Sequence, residues 1–168
     1  VILGGTGPVG VASAVICAKA GANVRLVGRS IEKAEKTAAI CNDRYQSKNV
    51  VAGADADKQD YLNKADIVLN TGAAGIQLMS DENIQMSSNL KICADTNAVP
   101  PSGIAGVDVM DSGKIMEKSP NKCRGIGALA IGNVKYKSQH ECLKLMYTSD
   151  DPVYLDFEDA FKFAQKSV

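Results

Sequence analysis

The feature that most constrains the fold is a glycine-rich turn between an apolar strand and a helix at the start of the sequence. The apolar run VIL at 1–3 is followed by GGTGPVG, in which three glycines have the spacing G-x-G-x-x-G. Gly5 permits a tight turn, Gly7 lets backbone N–H groups approach a pyrophosphate, and Gly10 lets the following helix pack against the strand. This context favours a dinucleotide site over a plain strand-to-helix turn. The predicted phosphate-binding residues are Gly5, Thr6, Gly7, Pro8, Val9 and Gly10.

Short apolar runs alternate with helical repeats along the rest of the chain. Strands of a parallel sheet that is covered on both faces read as near-continuous apolar runs. The pattern predicts an α/β fold of the Rossmann type, a doubly wound, mainly parallel sheet with helices on both faces. The predicted strands are 1–3, 23–27, 49–52, 66–69, 91–94 and 127–131. Helices are predicted from the glycine turn to about Gly21, after Ser30, over 57–64, after Ser80, from Ser138 to about Tyr147 and after Asp156, and 97–124 is predicted to be a loop.

The residues after the second predicted strand indicate which dinucleotide is bound. An enzyme that uses NAD usually places Asp or Glu there to bind the ribose 2′-hydroxyl. This chain has Gly28, Arg29 and Ser30 instead, and no acidic residue before Glu32. Arg29 can donate two hydrogen bonds to a phosphate, and Ser30 adds a hydroxyl at a helix N-terminus. The sequence therefore predicts NADP, bound by these three residues, with a solvated surface arginine as the alternative.

The nicotinamide is expected beyond the carboxyl ends of the fourth and fifth predicted strands, where open parallel sheets bind their ligands. Small residues there allow a flat ring to lie against the backbone, and amide groups can bond a carboxamide. Ordinary glycine-rich loops are the alternative. The predicted residues are Thr71, Gly72, Ala73, Asn97 and Ala98. If the next helix begins near Ser138, Lys135 lies at the mouth of the site and can meet a polar group of the substrate; a solvated lysine is the alternative.

Composition and the scarcity of acid–base groups narrow the function further. His140, the single histidine, has no partner for a triad or a metal site, and hydride transfer requires orientation more than proton transfer.

Nineteen basic residues balance nineteen acidic ones, so the chain as a whole attracts neither nucleic acid nor an anionic membrane. Five scattered cysteines suit small buried residues in a reducing cytosol rather than a metal site. We therefore expect a cytoplasmic protein that binds no metal.

Several short segments together resemble one family. They are ILGGTGPVG at 2–10, GR at 28–29, AD at 94–95, NA at 97–98, PP at 100–101, GI at 103–104, GVD at 106–108 and GALAIG at 127–132. The chain resembles, along essentially its whole length, the NADP-dependent methylenetetrahydromethanopterin dehydrogenases of one-carbon metabolism, some of which use methylenetetrahydrofolate. The segment from Asn97 to Asp108 is the most specific part of the resemblance.

The resemblance implies a two-domain enzyme with its tetrahydropterin substrate in the cleft. Residues 1–168 would be the C-terminal NADP-binding domain, and the substrate domain would precede them, as the abrupt start on a strand also suggests. The implied reaction transfers a hydride from the substrate's methylene carbon to nicotinamide and leaves a methenyl cation that the pterin nitrogens delocalise, so no protein acid or base is obligatory. Lys135 resembles the lysine that faces the pterin and is predicted to orient the substrate. Family members are homo-oligomers, which is expected here too.

The sequence departs from the family pattern at Thr96, Val99 and His140, where an aromatic residue, Gln and a basic residue are usual. These departures affect the expected pterin preference and some nicotinamide contacts. Two other functions stay open from the sequence. One is another NADP oxidoreductase, of the shikimate dehydrogenase kind, in which Lys and Asp transfer protons. The other is a sensor that binds NADP without catalysis and has no need of Lys135.

Overall fold

The computed structural model describes residues 1–166 and contains the predicted doubly wound sheet. Its seven strands have the order β3-β2-β1-β4-β5-β7-β6. All neighbouring pairs are parallel except β6 and β7. The strand order reverses between β1 and β4, so the carboxyl ends of these two strands define the switch point where such sheets bind ligands. The strands are β1 (Ile2–Leu3), β2 (Val24–Gly28), β3 (Val50–Ala54), β4 (Ile67–Asn70), β5 (Ile92–Asp95), β6 (Ser112–Ile115) and β7 (Arg124–Ile126).

The helices cover the two faces of the sheet. Helix α1 (Pro8–Lys19) and helix α2 (Ile31–Tyr45) pack on one face through a core that contains Ile2, Val15 and Leu26. A second core on the other face includes Leu3, Met79 and Ile104. The remaining helices are α3 (Lys58–Leu62), α4 (Asp81–Met86), α5 (Ala128–Thr148) and α6 (Phe157–Gln165), with a 3-10 turn at Asp55–Asp57.

The predicted helix starts are confirmed where a polar side chain caps the helix. The hydroxyl oxygen of Ser30 accepts from the N–H of Lys33 at 3.2 Å at the start of α2. Ser80 before α4 and Asp156 before α6 both form complete capping boxes. Gly21 follows the end of α1 with a φ of +91°, as expected of a glycine just beyond a helix. These helix ends depend on single capping residues, which can be recognised in the sequence.

Two sequence predictions near residue 130 are wrong. Residues 127–131 do not form a strand, because β7 ends at Ile126 and α5 begins at Ala128. Nor does a helix begin at Ser138, which lies buried in the middle of α5 and donates to the carbonyl oxygen of Val134 at 2.9 Å. The apolar run ALAI contains good helix formers and is equally compatible with a helix. The backbone decides the outcome, since the carbonyl oxygen of Val109 accepts from the N–H of Leu129 at 2.9 Å at the start of α5.

The long segment predicted as a loop contains β6, which pairs with β7 in the antiparallel direction. The strand SGKI at 112–115 is mostly exposed and lacks the apolar pattern that would reveal it. Its carbonyl at Gly113 accepts from Arg124 at 2.8 Å. β6 lies at the edge of the sheet and buries none of its residues, so it lacks the alternation of apolar and polar residues that indicates a half-buried strand.

Cysteines Cys41, Cys93 and Cys123 are buried in the apolar cores, whereas Cys17 and Cys142 are half-buried, and all five are free thiols. The hydrogen bond with the Cys123 thiol, whose sulfur lies 3.5 Å from that of Cys93, raises the pKa of Cys93, and burial raises it further. Across 1–166, no three His, Cys, Asp or Glu side chains form a group that could hold a metal ion. None of the helices in this range has the length and apolar character needed to cross a membrane.

Candidate dinucleotide site

The glycine turn joins β1 to α1 at the switch point. The N–H of Gly5 donates to the carbonyl oxygen of Val27 at 3.0 Å, which ties the turn to β2. A Cβ on Gly10 would lie 2.5 Å from the Cα of Gly5, so only glycine permits this packing of α1 against the strand. A Cβ on Gly7 would meet no protein atom within 4 Å. Protein packing therefore explains Gly10 but does not explain Gly7.

The start of α1 presents a surface suited to an anion. Pro8 opens the helix, no side chain caps it, and its first turn contains no acidic residue. The N–H groups in the first turn of a helix have no partner within that helix, and the helix dipole adds partial positive charge there. Pro8 and Val9 are exposed, and Thr6 and Gly7 are half-buried, so this end is open to solvent.

The end of β2 packs directly against the glycine turn. A Cβ on Gly28 would lie 2.8 Å from the Cγ2 of Thr6, which brings the two segments into close contact. Arg29 is exposed, and its side chain makes no hydrogen bond or ion pair within residues 1–166. Ser30 is exposed and caps α2. The predicted residues of this group are thus brought beside the glycine turn.

Buried polar side chains connect the carboxyl ends of β4 and β5. The amide nitrogen of Asn70 donates to Asp95 Oδ1 at 2.7 Å, and both side chains are almost fully buried. The backbone N–H of Asn97 donates to the same oxygen at 2.9 Å, while that of Ile104 donates to Asp95 Oδ2 at 3.0 Å. A Cβ on Gly103 would collide with the Asn70 amide. The sequence did not predict this network, which fixes the loops that follow both strands.

The predicted nicotinamide residues lie along these loops, but several of their polar groups are already bonded inside the protein. Asn97 Oδ1 accepts from Gly75 at 3.3 Å and from Val99 at 2.9 Å. Its amide nitrogen donates to the carbonyl oxygen of Pro101 at 2.8 Å, and the Thr71 hydroxyl donates to that of Leu3 at 3.1 Å. Gly72 is half-buried, and Ala73 and Ala98 are exposed. Three small residues, Gly72, Ala73 and Ala98, thus form a wall at this edge of the sheet, and the buried Asn97 amide holds the loops that carry them.

Lys135 does not lie in a loop before a helix, because α5 has already begun seven residues earlier. A helix rises 1.5 Å per residue, so Lys135 lies roughly 10 Å along the axis from the helix start. Its side chain is exposed. His140 is exposed on the same helix, where its Nδ1 lies 3.4 Å from a carboxylate oxygen of Glu141. Lys135 therefore lies within a helix and not in the predicted loop, but its side chain remains accessible to solvent.

Comparison with known proteins gives relatives along nearly the whole chain. The chain is 38% identical over 98% of its length to an NAD(P)-dependent methylenetetrahydromethanopterin dehydrogenase of Methylorubrum extorquens, and covers 56% of that protein. It is also 38% identical over 87% of its length to the bifunctional protein MdtA of the same organism, and covers 50% of it. The chain thus spans about half the length of these curated relatives. No protein-family model matches the sequence.

Among solved structures, the chain is similar to a quinate dehydrogenase from Corynebacterium glutamicum in complex with NAD. The TM-score is 0.58 at 15% identity, and the match covers 99% of this chain and 54% of that one. This likeness supports the fold, which is the predicted Rossmann type. The sequence relatives confirm the predicted family: over the half of their length that it spans, the chain is a relative of the methylenetetrahydromethanopterin dehydrogenases.

Proposed function

We propose that this chain binds NADP and forms the cofactor-binding half of a dehydrogenase that oxidises methylenetetrahydromethanopterin to its methenyl form. The observation that carries the proposal is the contrast within the glycine turn. Gly10 is required by its contact with Gly5, whereas Gly7 faces open space beside a helix start with free N–H groups. A pyrophosphate fits this arrangement because it accepts hydrogen bonds from those groups and lies along the positive end of the helix dipole.

The end of β2 supports NADP over NAD. A ribose bound next to the glycine turn would lie near Gly28 and Arg29, since Gly28 packs against Thr6. The Arg29 side chain has no partner among residues 1–166 and is free to reach a 2′-phosphate. Charge-assisted bonds to phosphate are about twice as strong as neutral ones. Among residues 1–166, this unpaired guanidinium is the feature that most favours NADP.

A bound nicotinamide would supply the hydride acceptor for the substrate's methylene carbon. The chain itself contributes orientation, because Gly72, Ala73 and Ala98 form a wall against which a flat ring can lie. The side chains of Thr71 and Asn97 hold that wall by donating hydrogen bonds to backbone carbonyl oxygens. No acid–base pair is needed, because the pterin nitrogens delocalise the positive charge of the product. Orientation of this kind accounts for a large part of a rate enhancement.

The substrate side of the reaction rests on the relatives. Because the chain spans about half of their length, we propose that the tetrahydropterin binds between this domain, residues 1–168, and a second domain of the longer protein. We assign Lys135 to orientation of the substrate, since its exposed ammonium can reach a ligand held by another domain. Methylenetetrahydrofolate is the second substrate we propose. The setting we propose is cytoplasmic one-carbon metabolism, in a homo-oligomer.

The test is a turnover assay on the enzyme that contains this chain at the length of its relatives. The absorbance of reduced nicotinamide is followed with methylenetetrahydromethanopterin and with methylenetetrahydrofolate, each with NADP and with NAD. Rapid reduction of NADP with either pterin is expected, and the ratio of the two rates gives the substrate preference. Tight binding of NADP without reduction by either pterin would refute the proposed dehydrogenase.

A further inference from the structure

Glu32 lies beside the residues proposed to bind the 2′-phosphate, although its position in the sequence is inside a helix. It is the second residue of α2, two residues after the cap formed by Ser30. The Ser30 hydroxyl donates to Glu32 Oε2 at 2.6 Å. The Ser30 hydroxyl could donate a hydrogen bond to a 2′-phosphate, but it already donates one to the Glu32 carboxylate.

The carboxylate of Glu32 carries a negative charge. The hydrogen bond from Ser30 lowers the pKa of Glu32, so this side chain is ionised at neutral pH. Glu32 makes no ion pair within residues 1–166, and its side chain is exposed. Arg29 is also unpaired within this part of the chain, so the two opposite charges remain separate.

We infer that Glu32 sets the balance between the two dinucleotides, disfavouring the 2′-phosphate of NADP and accepting a hydrogen bond from the 2′-hydroxyl of NAD. The inference rests on the proposed function, since it requires that a dinucleotide ribose lies at the end of β2. Arg29 acts in the opposite direction. The site then accepts both cofactors, and the ratio of their affinities depends on two side chains of opposite charge.

The expected size of the effect follows from the distance. A phosphate oxygen that bonds Ser30 must lie within about 5–6 Å of the Glu32 carboxylate, because each hydrogen bond spans about 2.7 Å. Repulsion between a carboxylate and a phosphate of between one and two charges at this distance in water changes a binding constant by about tenfold. Salt screens part of this repulsion because the site is exposed.

The experiment measures binding of NADP and NAD to this chain by isothermal titration calorimetry at low and at high ionic strength. The variants are Glu32→Gln, which removes the charge but keeps an acceptor, and Glu35→Gln, a matched control on the same exposed side of α2. Glu32→Gln is expected to tighten NADP binding about tenfold at low salt, with a smaller gain at high salt, and to weaken NAD binding at most a few fold. Glu35→Gln should change neither constant by more than about twofold.

Three results would overturn the inference. If the ratio of the two affinities in Glu32→Gln stays within about twofold of the unchanged chain, Glu32 does not face the ribose. If Glu35→Gln shifts the ratio equally, net charge rather than position is responsible. If the unchanged chain binds neither dinucleotide, the proposed function fails together with this inference, whereas binding with an unchanged ratio refutes the inference alone.

Discussion

Two glycines of the turn respond in opposite ways to replacement by alanine, and this contrast tests the dinucleotide site. Gly10→Ala places a methyl group 2.5 Å from Gly5 Cα, where non-bonded carbon atoms require about 3.5–4.0 Å. The neighbour is backbone, so it cannot rotate away. Gly7→Ala places a methyl group in open space. Gly7 has a φ of −91° and a ψ of 173°, a conformation that alanine adopts without strain.

The magnitudes follow from these contacts. Overpacking at Gly10 costs about 3 kcal/mol, and the better helix propensity of alanine returns about 1 kcal/mol, which leaves a net loss of about 2 kcal/mol. In a domain of this size, that loss lowers Tm by roughly 4–8 °C. At Gly7, alanine is a slightly poorer cap but restricts the unfolded chain, and each effect is below about 1 kcal/mol. The methyl group would nevertheless occupy the path of the pyrophosphate and weaken NADP binding at least about tenfold.

The assay combines thermal unfolding, followed by far-UV circular dichroism because the chain has no Trp, with calorimetric titration of NADP. Gly7→Ala should keep its Tm within about 3 °C of the unchanged chain and lose affinity. Gly10→Ala should lose stability in the absence of any ligand. Unchanged NADP affinity in Gly7→Ala would refute the placement of the pyrophosphate at the turn, and an unchanged Tm in Gly10→Ala would refute the packing argument.

The other predictions address the cofactor phosphate and the substrate. Arg29→Ala should weaken NADP binding about 10- to 100-fold and leave NAD binding almost unchanged, because it removes hydrogen bonds to a charged group. Equal losses for both dinucleotides in the same titration would count against the assignment of NADP. If the proposed function holds, Lys135→Ala should lower kcat/KM for the tetrahydropterin in the proposed longer enzyme and leave the Kd for NADP unchanged, as expected of a residue that orients substrate. Full turnover in this variant would remove Lys135 from the site.

The parts of the fold that the sequence predicted depend on local rules. The glycine spacing, the caps at Ser30 and Asp156 and the apolar strands each specify an element within a few residues. The errors occur where distant backbone decides the outcome. The start of α5 is fixed by a carbonyl at Val109, and strand β6 is fixed by its pairing with β7. In both cases the hydrogen-bonding partner is distant in the sequence: Val109 lies well before α5, and β7 lies beyond the loop that follows β6.

The polar residues at the switch point show the same limit of sequence-based prediction, since their contacts also depend on distant parts of the chain. The sequence showed that Asn97 follows a buried strand, and a free amide suggested a contact with the carboxamide. In the structure, this amide is bonded to Gly75, Val99 and Pro101. Sequence patterns show which groups reach an edge of the sheet, but only the fold shows whether another part of the chain already uses their hydrogen bonds.

Asp95 tests whether the buried network at this edge is needed for stability. Its two carboxylate oxygens accept from Asn70, Asn97 and Ile104, and 1% of the residue is exposed. In Asp95→Asn, either orientation of the new amide points an NH₂ group at one or two of these donors. A buried donor left without an acceptor costs about 1–3 kcal/mol, so urea unfolding should show a loss of that size.

Asp66→Asn is the matched control, because Asp66 pairs with Lys91 at 2.7 Å and both side chains are about two-thirds exposed. Exposed ion pairs contribute little to stability, so its unfolding midpoint should not change measurably. Asp95→Asn should also weaken the binding of NAD and NADP equally, since the loops after β4 and β5 are proposed to contact the nicotinamide, which the two cofactors share. A midpoint for Asp95→Asn equal to that of the control would mean that backbone contacts alone hold these loops, and that the network does not position the nicotinamide wall.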